Sequence, residues 1–330
     1  MPITLIRKWR LTGIFFAAVP LCISAVIAAE ANGLLPIDDA AARLVRIETI
    51  GGLEKTGSEF ANTGTASGIL LDDGYVITSA FNFLHQPSSI ILILPDGTKH
   101  AAKRISTDKL RQLTLLKTDT FKTDSLKTLP VRSKASLVIG ERCLAIGAAL
   151  SATEPNVAAG IISGKNRIWG KAVQTDAAVG PNNYGGLLTD GSGQAVGILV
   201  PLSMMSDELT AGAEFYDAGV ASAIPLEDIT PLLPKMKVGK DLLPGKTGIR
   251  YKENQTFVGN TVIFQVEANS PAALAGLTSG DRILSIDGKA VRSALDVTKN
   301  LKLRYAGETL QIEFQRNAEK KTANVTTAAE

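Results

Sequence analysis

Histidine and cysteine are the scarcest chemistry-bearing residues of this 330-residue chain, with two of each. Any histidine-dependent site must therefore draw on His85 or His100. Cys22 falls in a leading apolar segment, and Cys143 stands in Cys-Leu-Ala-Ile-Gly, which reads as a buried strand carrying an inert thiol. That inventory supplies no thiolate cluster, so no metal and no cofactor is expected. An excess of one charge is lacking too, since 35 Lys and Arg face 32 Asp and Glu. Nothing in that balance calls for nucleic acid as a partner.

Only one long apolar run exists. Arg7, Lys8 and Arg10 precede an almost wholly apolar stretch from Leu11 to Ala28, and Ala29-Glu30-Ala31 places small residues where a signal peptidase reads. Residues 1–31 are expected to be a secretory signal peptide, so the protein is expected to be exported, periplasmic or extracellular. An uncleaved segment would instead anchor it in a membrane, because the run nearly reaches spanning length. Without the leader, 32 basic and 31 acidic side chains remain, a net charge of +1.

Glycine is abundant, with 30 residues, and 14 prolines punctuate the chain further. Short alternating or apolar runs recur between Leu44 and Pro225. Leu44–Glu48 alternates, and Ser67–Leu71 meets Tyr75–Ile77 across the turn Asp72-Asp73-Gly74. Further strands are expected at Ile90–Leu94, Gln112–Lys117, Ser136–Ile139, Cys143–Ile146, Val157–Ser163, Ala172–Thr175 and Ala195–Val200. Strands at this spacing predict an all-β barrel or sandwich, divided into two near Thr128–Ser133. Pro244 with Lys237, Lys240 and Lys246, following Pro231 and Pro234, makes 236–246 read as a solvated linker. A smaller domain over 247–318 follows, with strands at Val262–Val266, Ile283–Ile286 and Thr309–Phe314 and helices after Ser270 and Ala294. Residues 319–330 read as a polar, frayed tail.

Several blocks of sequence carry a family resemblance. They are Gly64-Thr65-Ala66-Ser67-Gly68, Gly74-Tyr75-Val76-Ile77-Thr78, Asp96-Gly97, Gln174-Thr175-Asp176-Ala177-Ala178, Gly185-Gly186 and Ala223-Ile224-Pro225. In this order they resemble the HtrA-type trypsin-like serine proteases. The stretch from Ser270-Pro271 through Gly280-Asp281 to Asp287-Gly288 resembles the core of bacterial PDZ domains. The resemblance implies a trypsin-like double β-barrel over 32–235, with a cleft between the barrels, followed by a small α+β PDZ domain.

A serine protease needs a nucleophilic hydroxyl, a base and a carboxylate that orients the base. The resemblance assigns these roles to positions that here hold Tyr184, Phe81 and Gln112. A phenyl ring accepts no proton, and an amide offers no charge to an imidazolium. The loop that would form the oxyanion hole is Gly180-Pro181-Asn182-Asn183-Tyr184, with Asn182 and Asn183 at its centre. His85, with Ser79 and Asp108 as its nearest candidate partners, matches no triad pattern, and both histidines read as surface or packing residues. No catalytic residue is therefore expected, and Phe81 and Tyr184 are expected to fill the cleft with Phe81 largely buried.

In PDZ domains a peptide adds to a sheet edge while backbone amides catch its terminal carboxylate. The matching positions are Thr247, Gly248 and Ile249, with Val297 and Leu301 as the expected groove wall. The expected function is that of an exported pseudoprotease. It would bind peptides or protein C-termini as scaffold, regulator or subunit co-assembling with an active relative, possible homo-oligomers included. The competing readings are an active endopeptidase with an unusual site and a holdase chaperone using the loop Ser203–Asp217 with Met204 and Met205.

Overall fold

The computed structural model describes residues 37–52, 64–120, 129–204, 212–213, 218–252 and 260–329. The expected signal segment 1–31, Cys22 and Met205 lie outside the described residues. Among the described residues no helix is long and apolar enough to cross a membrane.

Twelve strands close into two barrels of six. The first comprises β1 (Leu44–Ile50), β2 (Gly64–Leu70), β3 (Tyr75–Ser79), β4 (Ser89–Ile93), β5 (Lys99–Asp108) and β6 (Leu113–Lys117) in the order β1-β2-β3-β6-β5-β4. The second comprises β7 (Arg142–Gly147), β8 (Asn156–Arg167), β9 (Ala172–Thr175), β10 (Leu187–Asp190), β11 (Ala195–Val200) and β12 (Ala221–Pro225) in the order β10-β11-β12-β9-β8-β7. Closure removes every exposed sheet edge, and alternate side chains of each strand fill the interior. Val45, Ile47, Leu70, Val76, Leu92 and Leu116 pack inside the first barrel. Cys143, Ala145, Ile162, Val173, Leu188 and Leu199 pack inside the second.

Ser136–Ile139 is not the expected strand. Lys134–Ser136 forms a 3-10 turn, and the Glu141 carboxylate accepts the Val138 N–H. Val138 and Ile139 are left 61% exposed. Their apolar character looks like a strand in sequence, but Gly140 at φ 93° turns the chain before a ladder can form.

The third body has the four-stranded order β17-β16-β18-β19, built from β16 (Arg282–Ile286), β17 (Lys289–Ala290), β18 (Thr309–Arg316) and β19 (Glu319–Thr326). Two short pairs complete it: β13 (Gly245–Lys246) with β20 (Ala328–Ala329), and β14 (Ile249–Arg250) with β15 (Gln265–Val266). The helix Ala294–Leu301 packs on the sheet, capped by the Ser293 hydroxyl, which accepts the Asp296 N–H. The expected strand Val262–Val266 shrinks to β15 and an isolated bridge from Val262 to Arg282.

Two further expectations are corrected. The frayed tail is β19, paired with β18 from Arg316↔Glu319 to Thr309↔Thr326. Its polar residues face solvent, while Ala323 and Val325 turn into the core. The solvated linker is docked: Met236 is fully buried, and Ser106 Oγ donates to its carbonyl at 2.9 Å. Leu242 joins β5 through Leu242 N–H to Thr107 O and Lys109 N–H to Leu242 O, both 2.9 Å. The Asp241 carboxylate accepts the Thr107 N–H at 2.8 Å.

Candidate functional site

The cleft region starts from the end of β3. Ser79 caps a 3-10 turn over Ala80–Phe83, its hydroxyl accepting the Phe81 N–H at 3.3 Å. This projects Phe81 out of the first barrel and onto the apolar cluster of the second, which includes Tyr184. The two rings meet edge to face, with centroids 5.2 Å apart and an interplanar angle of 78°. Such a geometry sets the positive edge of one ring against the negative face of the other. Tyr184 is 3% exposed, as expected. Phe81 is only half-buried, short of the full burial expected, because it packs onto the second barrel's cluster from the neighbouring barrel and is not enclosed within it.

Gln112 ends the turn between β5 and β6 with φ 56°, and its side chain is buried. The backbone carbonyl of Gln112 accepts the Ala80 N–H at 2.8 Å, which places it beside the base of the Phe81 turn. The alternative partners for His85 are committed elsewhere. Ser79 holds the turn, and Asp108 accepts the Leu110 and Arg111 N–H groups, both at 3.0 Å, and the Tyr305 hydroxyl at 2.5 Å. His85 is exposed on the segment after the turn. His100 lies on β5, its ring nitrogens 3.1 Å from Thr98 Oγ1 and 2.7 Å from Thr120 Oγ1.

The Gly180–Tyr184 loop is closed on itself. A 3-10 turn spans Pro181–Asn183, with Asn183 N–H donating to Gly180 O at 2.8 Å and Tyr184 N–H to Pro181 O at 3.2 Å. The Tyr184 amide that would face an oxyanion is thus spent inside its own loop. Barrel one holds the loop from outside: Ser67 Oγ donates to Asn182 O at 2.8 Å, and Asn82 Nδ2 donates to Tyr184 O at 3.1 Å. Asn82 also donates to Thr78 Oγ1, which in turn donates to Ser67 O. Gly185, at φ +85°, lies so close that a Cβ there would sit 2.1 Å from Ser67 O. Ser67 and Thr78 stand in the family-like blocks of the sequence, whereas nothing in the local pattern marks Asn82. Beside Tyr184 an apolar cavity of about 230 Å³ opens on the second barrel, lined by Val179, Val200, Leu202, Met204 and Ala221.

On the C-terminal body a cavity of about 350 Å³ gathers Thr247, Gly248, Ile249, Tyr251, Thr298 and Leu301. Gly248 has φ +78°, and a Cβ there would meet Ser270 Cβ at 2.2 Å. Val297 does not join the cavity. It is fully buried and belongs to the core with Ile283, Leu310 and Ile312. The helix is rotated so that Thr298, Leu301 and Lys302 face the cavity. Lys109 and Leu110, from the turn after β5, line the same cavity and were not anticipated.

Two family models match, in the order of the fold: the trypsin-like peptidase domain over residues 66–198 and the PDZ domain over 245–327. The chain is 28% identical over 305 residues to the serine protease Do-like HtrA of Lactococcus lactis subsp. cremoris, covering 82% of this chain and 73% of the relative. With the serine endoprotease DegS of Haemophilus influenzae it shares 29% over 248 residues, 72% of this chain and 69% of the relative. The chain thus carries a trypsin-like peptidase domain followed by a PDZ domain, the arrangement of the HtrA-type relatives to which it is similar. Among solved structures, the HtrA-type protease AlgW with tripeptide superposes with a TM-score of 0.68 at 23% identity, covering 88% of this chain and 95% of that one. A serine endoprotease from Yersinia pestis gives 0.63 at 23% identity, over 95% and 100%. Both share the HtrA-type fold of two barrels and a PDZ domain. A probable periplasmic serine endoprotease, DegP-like, of Pseudomonas fulva is 29% identical over 271 residues, and the match covers 78% of this chain but 54% of that relative.

Proposed function

We propose that this HtrA-type chain binds peptides without cleaving them, and that it works outside the cytoplasm. The observation that carries the reading is the Phe81–Tyr184 ring pair, 5.2 Å between centroids, at the positions that the family resemblance assigns to base and nucleophile. Phe81 stands where the resemblance places the base, and a phenyl ring accepts no proton, so no imidazole activates the Tyr184 hydroxyl from that position. The closed Pro181–Asn183 turn and the amide of Gln112 support the same reading, because neither stabilises a tetrahedral oxyanion or an imidazolium. Triad members act as a unit, so replacing all of them leaves at most about 10³–10⁴-fold over water. Binding falls to the PDZ domain, through the cavity at Thr247–Ile249. Export is supported by the leader 1–31 and by the likeness to a probable periplasmic DegP-like endoprotease. Scaffolding, regulation and co-assembly with an active relative are roles such a binder can fill.

The test is casein turnover by the native chain, by Tyr184→Ser and by the triple change Phe81→His, Gln112→Asp, Tyr184→Ser. Native protein and the single variant are expected to be inactive, because a hydroxyl without a base remains a poor nucleophile. Robust turnover by either one refutes the assignment.

A further inference from the structure

The PDZ cavity is a composite of two domains. Exposed Lys109 and buried Leu110, on the turn that follows β5 of the first barrel, form part of its wall. A buried junction fixes that turn. The Tyr305 hydroxyl of the PDZ domain donates to Asp108 Oδ2 at 2.5 Å, Arg111 donates to the same hydroxyl, and its guanidinium lies 5.3 Å from the Tyr305 ring centroid. The Lys109 amide itself is tied to Leu242. Lys109 therefore belongs to the cavity by construction.

The charge around that cavity is one-sided. Among the described residues, Lys109, Lys246, Arg250, Lys302 and Arg304 line it against one carboxylate, Glu267. Glu267 is engaged by Arg250, whose Nε donates to it at 2.6 Å. Asp287 meets Arg304 at 2.8 Å. The chain as a whole carries only a slight positive excess, 35 basic against 32 acidic residues, so this concentration is local. Arg250 and Arg304 are engaged by Glu267 and Asp287, so with the terminal carboxylate caught by the backbone amides at Thr247–Ile249 the charge that side chains just upstream would meet is that of the lysines, Lys109 at the exposed rim among them.

We infer that the composite groove selects protein C-termini carrying acidic side chains within their last few residues, with Lys109 of the barrel acting as a specificity residue for the PDZ domain. This rests on the reading of Thr247–Ile249 as the carboxylate-catching loop. Apolar contact from Ile249, Tyr251 and Leu301 anchors the peptide, and the cations discriminate between anchored peptides.

The experiment uses the full chain without its leader and fluorescein-labelled hexapeptides read by polarisation. Three share one apolar last residue: an acidic peptide, its Asn/Gln isostere, and the acidic peptide amidated at its C-terminus. The acidic peptide is expected to bind on the order of tenfold tighter than the isostere at low salt, a preference that shrinks at about 0.5 M salt. Amidation is expected to weaken binding of the acidic peptide. Lys109→Glu should bring the acidic-to-neutral ratio to one or below, and Lys302→Gln should reduce it. Equal binding of acidic and neutral peptides, with amidation still harmful, overturns the charge selection and leaves the groove reading standing. No binding by any peptide, or indifference to amidation, overturns the groove reading itself. A preference unmoved by Lys109→Glu removes the barrel from the site.

Discussion

Phe81 belongs to the first barrel yet packs on the core of the second, so its removal measures what the ring pair contributes to holding them together. Truncating a fully buried Phe costs roughly 3–5 kcal/mol. Phe81 is half-buried, which scales that to about 1.5–2.5 kcal/mol, including an edge-to-face term of about 0.5–1.5 kcal/mol with Tyr184. For a cooperative unit of the size of the paired barrels, each kcal/mol moves the midpoint by roughly 2–4 °C. Phe81→Ala is therefore expected to lower Tm by about 3–10 °C in calorimetry or circular dichroism. A double-mutant cycle with Tyr184→Leu isolates the pair, and coupling of about 0.5–1.5 kcal/mol is expected. A Phe81→Ala loss below about 0.5 kcal/mol, the ordinary range of surface changes, or zero coupling in the cycle, refutes the idea that the rings close the cleft.

Three other changes probe the surrounding structure. Tyr305→Phe removes a hydrogen bond to a buried carboxylate and should cost about 1.5–3 kcal/mol, with faster hydrogen exchange at the Lys109 and Leu242 amides and unchanged exchange in β10. Burial pushes the Asp108 carboxyl above its ordinary 3.8, against the pull of the Tyr305 hydroxyl and the Arg111 charge. A raised folded pKa gives stability that is full below the unfolded value and lost as pH rises through the folded one. The stability of Asp108→Asn relative to the native chain should therefore improve as pH rises through the acid range, and a pH-independent difference contradicts the assignment. Gly185→Ala places a Cβ 2.1 Å from Ser67 O at φ +85°, two backbone constraints that cannot both relax, and should destabilise by at least about 2 kcal/mol in chemical denaturation.

The barrels were legible because their strands are short, alternate in polarity and are separated by turn residues. The hairpin at Asp72–Gly74 emerges with Ile69 opposite Ile77. β19 was not legible, because only Ala323 and Val325 mark its inner face among lysines and threonines. The linker misled for a related reason. Its lysines and prolines advertise solvent, whereas the docking is carried by Met236, by backbone groups of Leu242 and by one carboxylate, Asp241. On the helix Ala294–Leu301, i and i+4 spacing correctly paired Val297 with Leu301 along one side. It could not tell that the sheet takes Val297 and leaves Leu301 at the rim, a rotation set by packing. Phe81 and Tyr184 were singled out by the family-like residues around them and Gln112 by the strand Leu113–Lys117 that follows it. Lys109, Tyr305 and Asn82 act through contacts across 100 residues or more, where local pattern carries no information.

The central claim is that the barrel cleft performs no acyl transfer. Its most direct test is intact mass of the native chain after prolonged incubation with a fluorophosphonate probe, with an active HtrA-type protease as the positive control. The unmodified mass is predicted, with Tyr184 and every serine unlabelled. A stoichiometric phosphonyl adduct on any serine, or on Tyr184, contradicts the account.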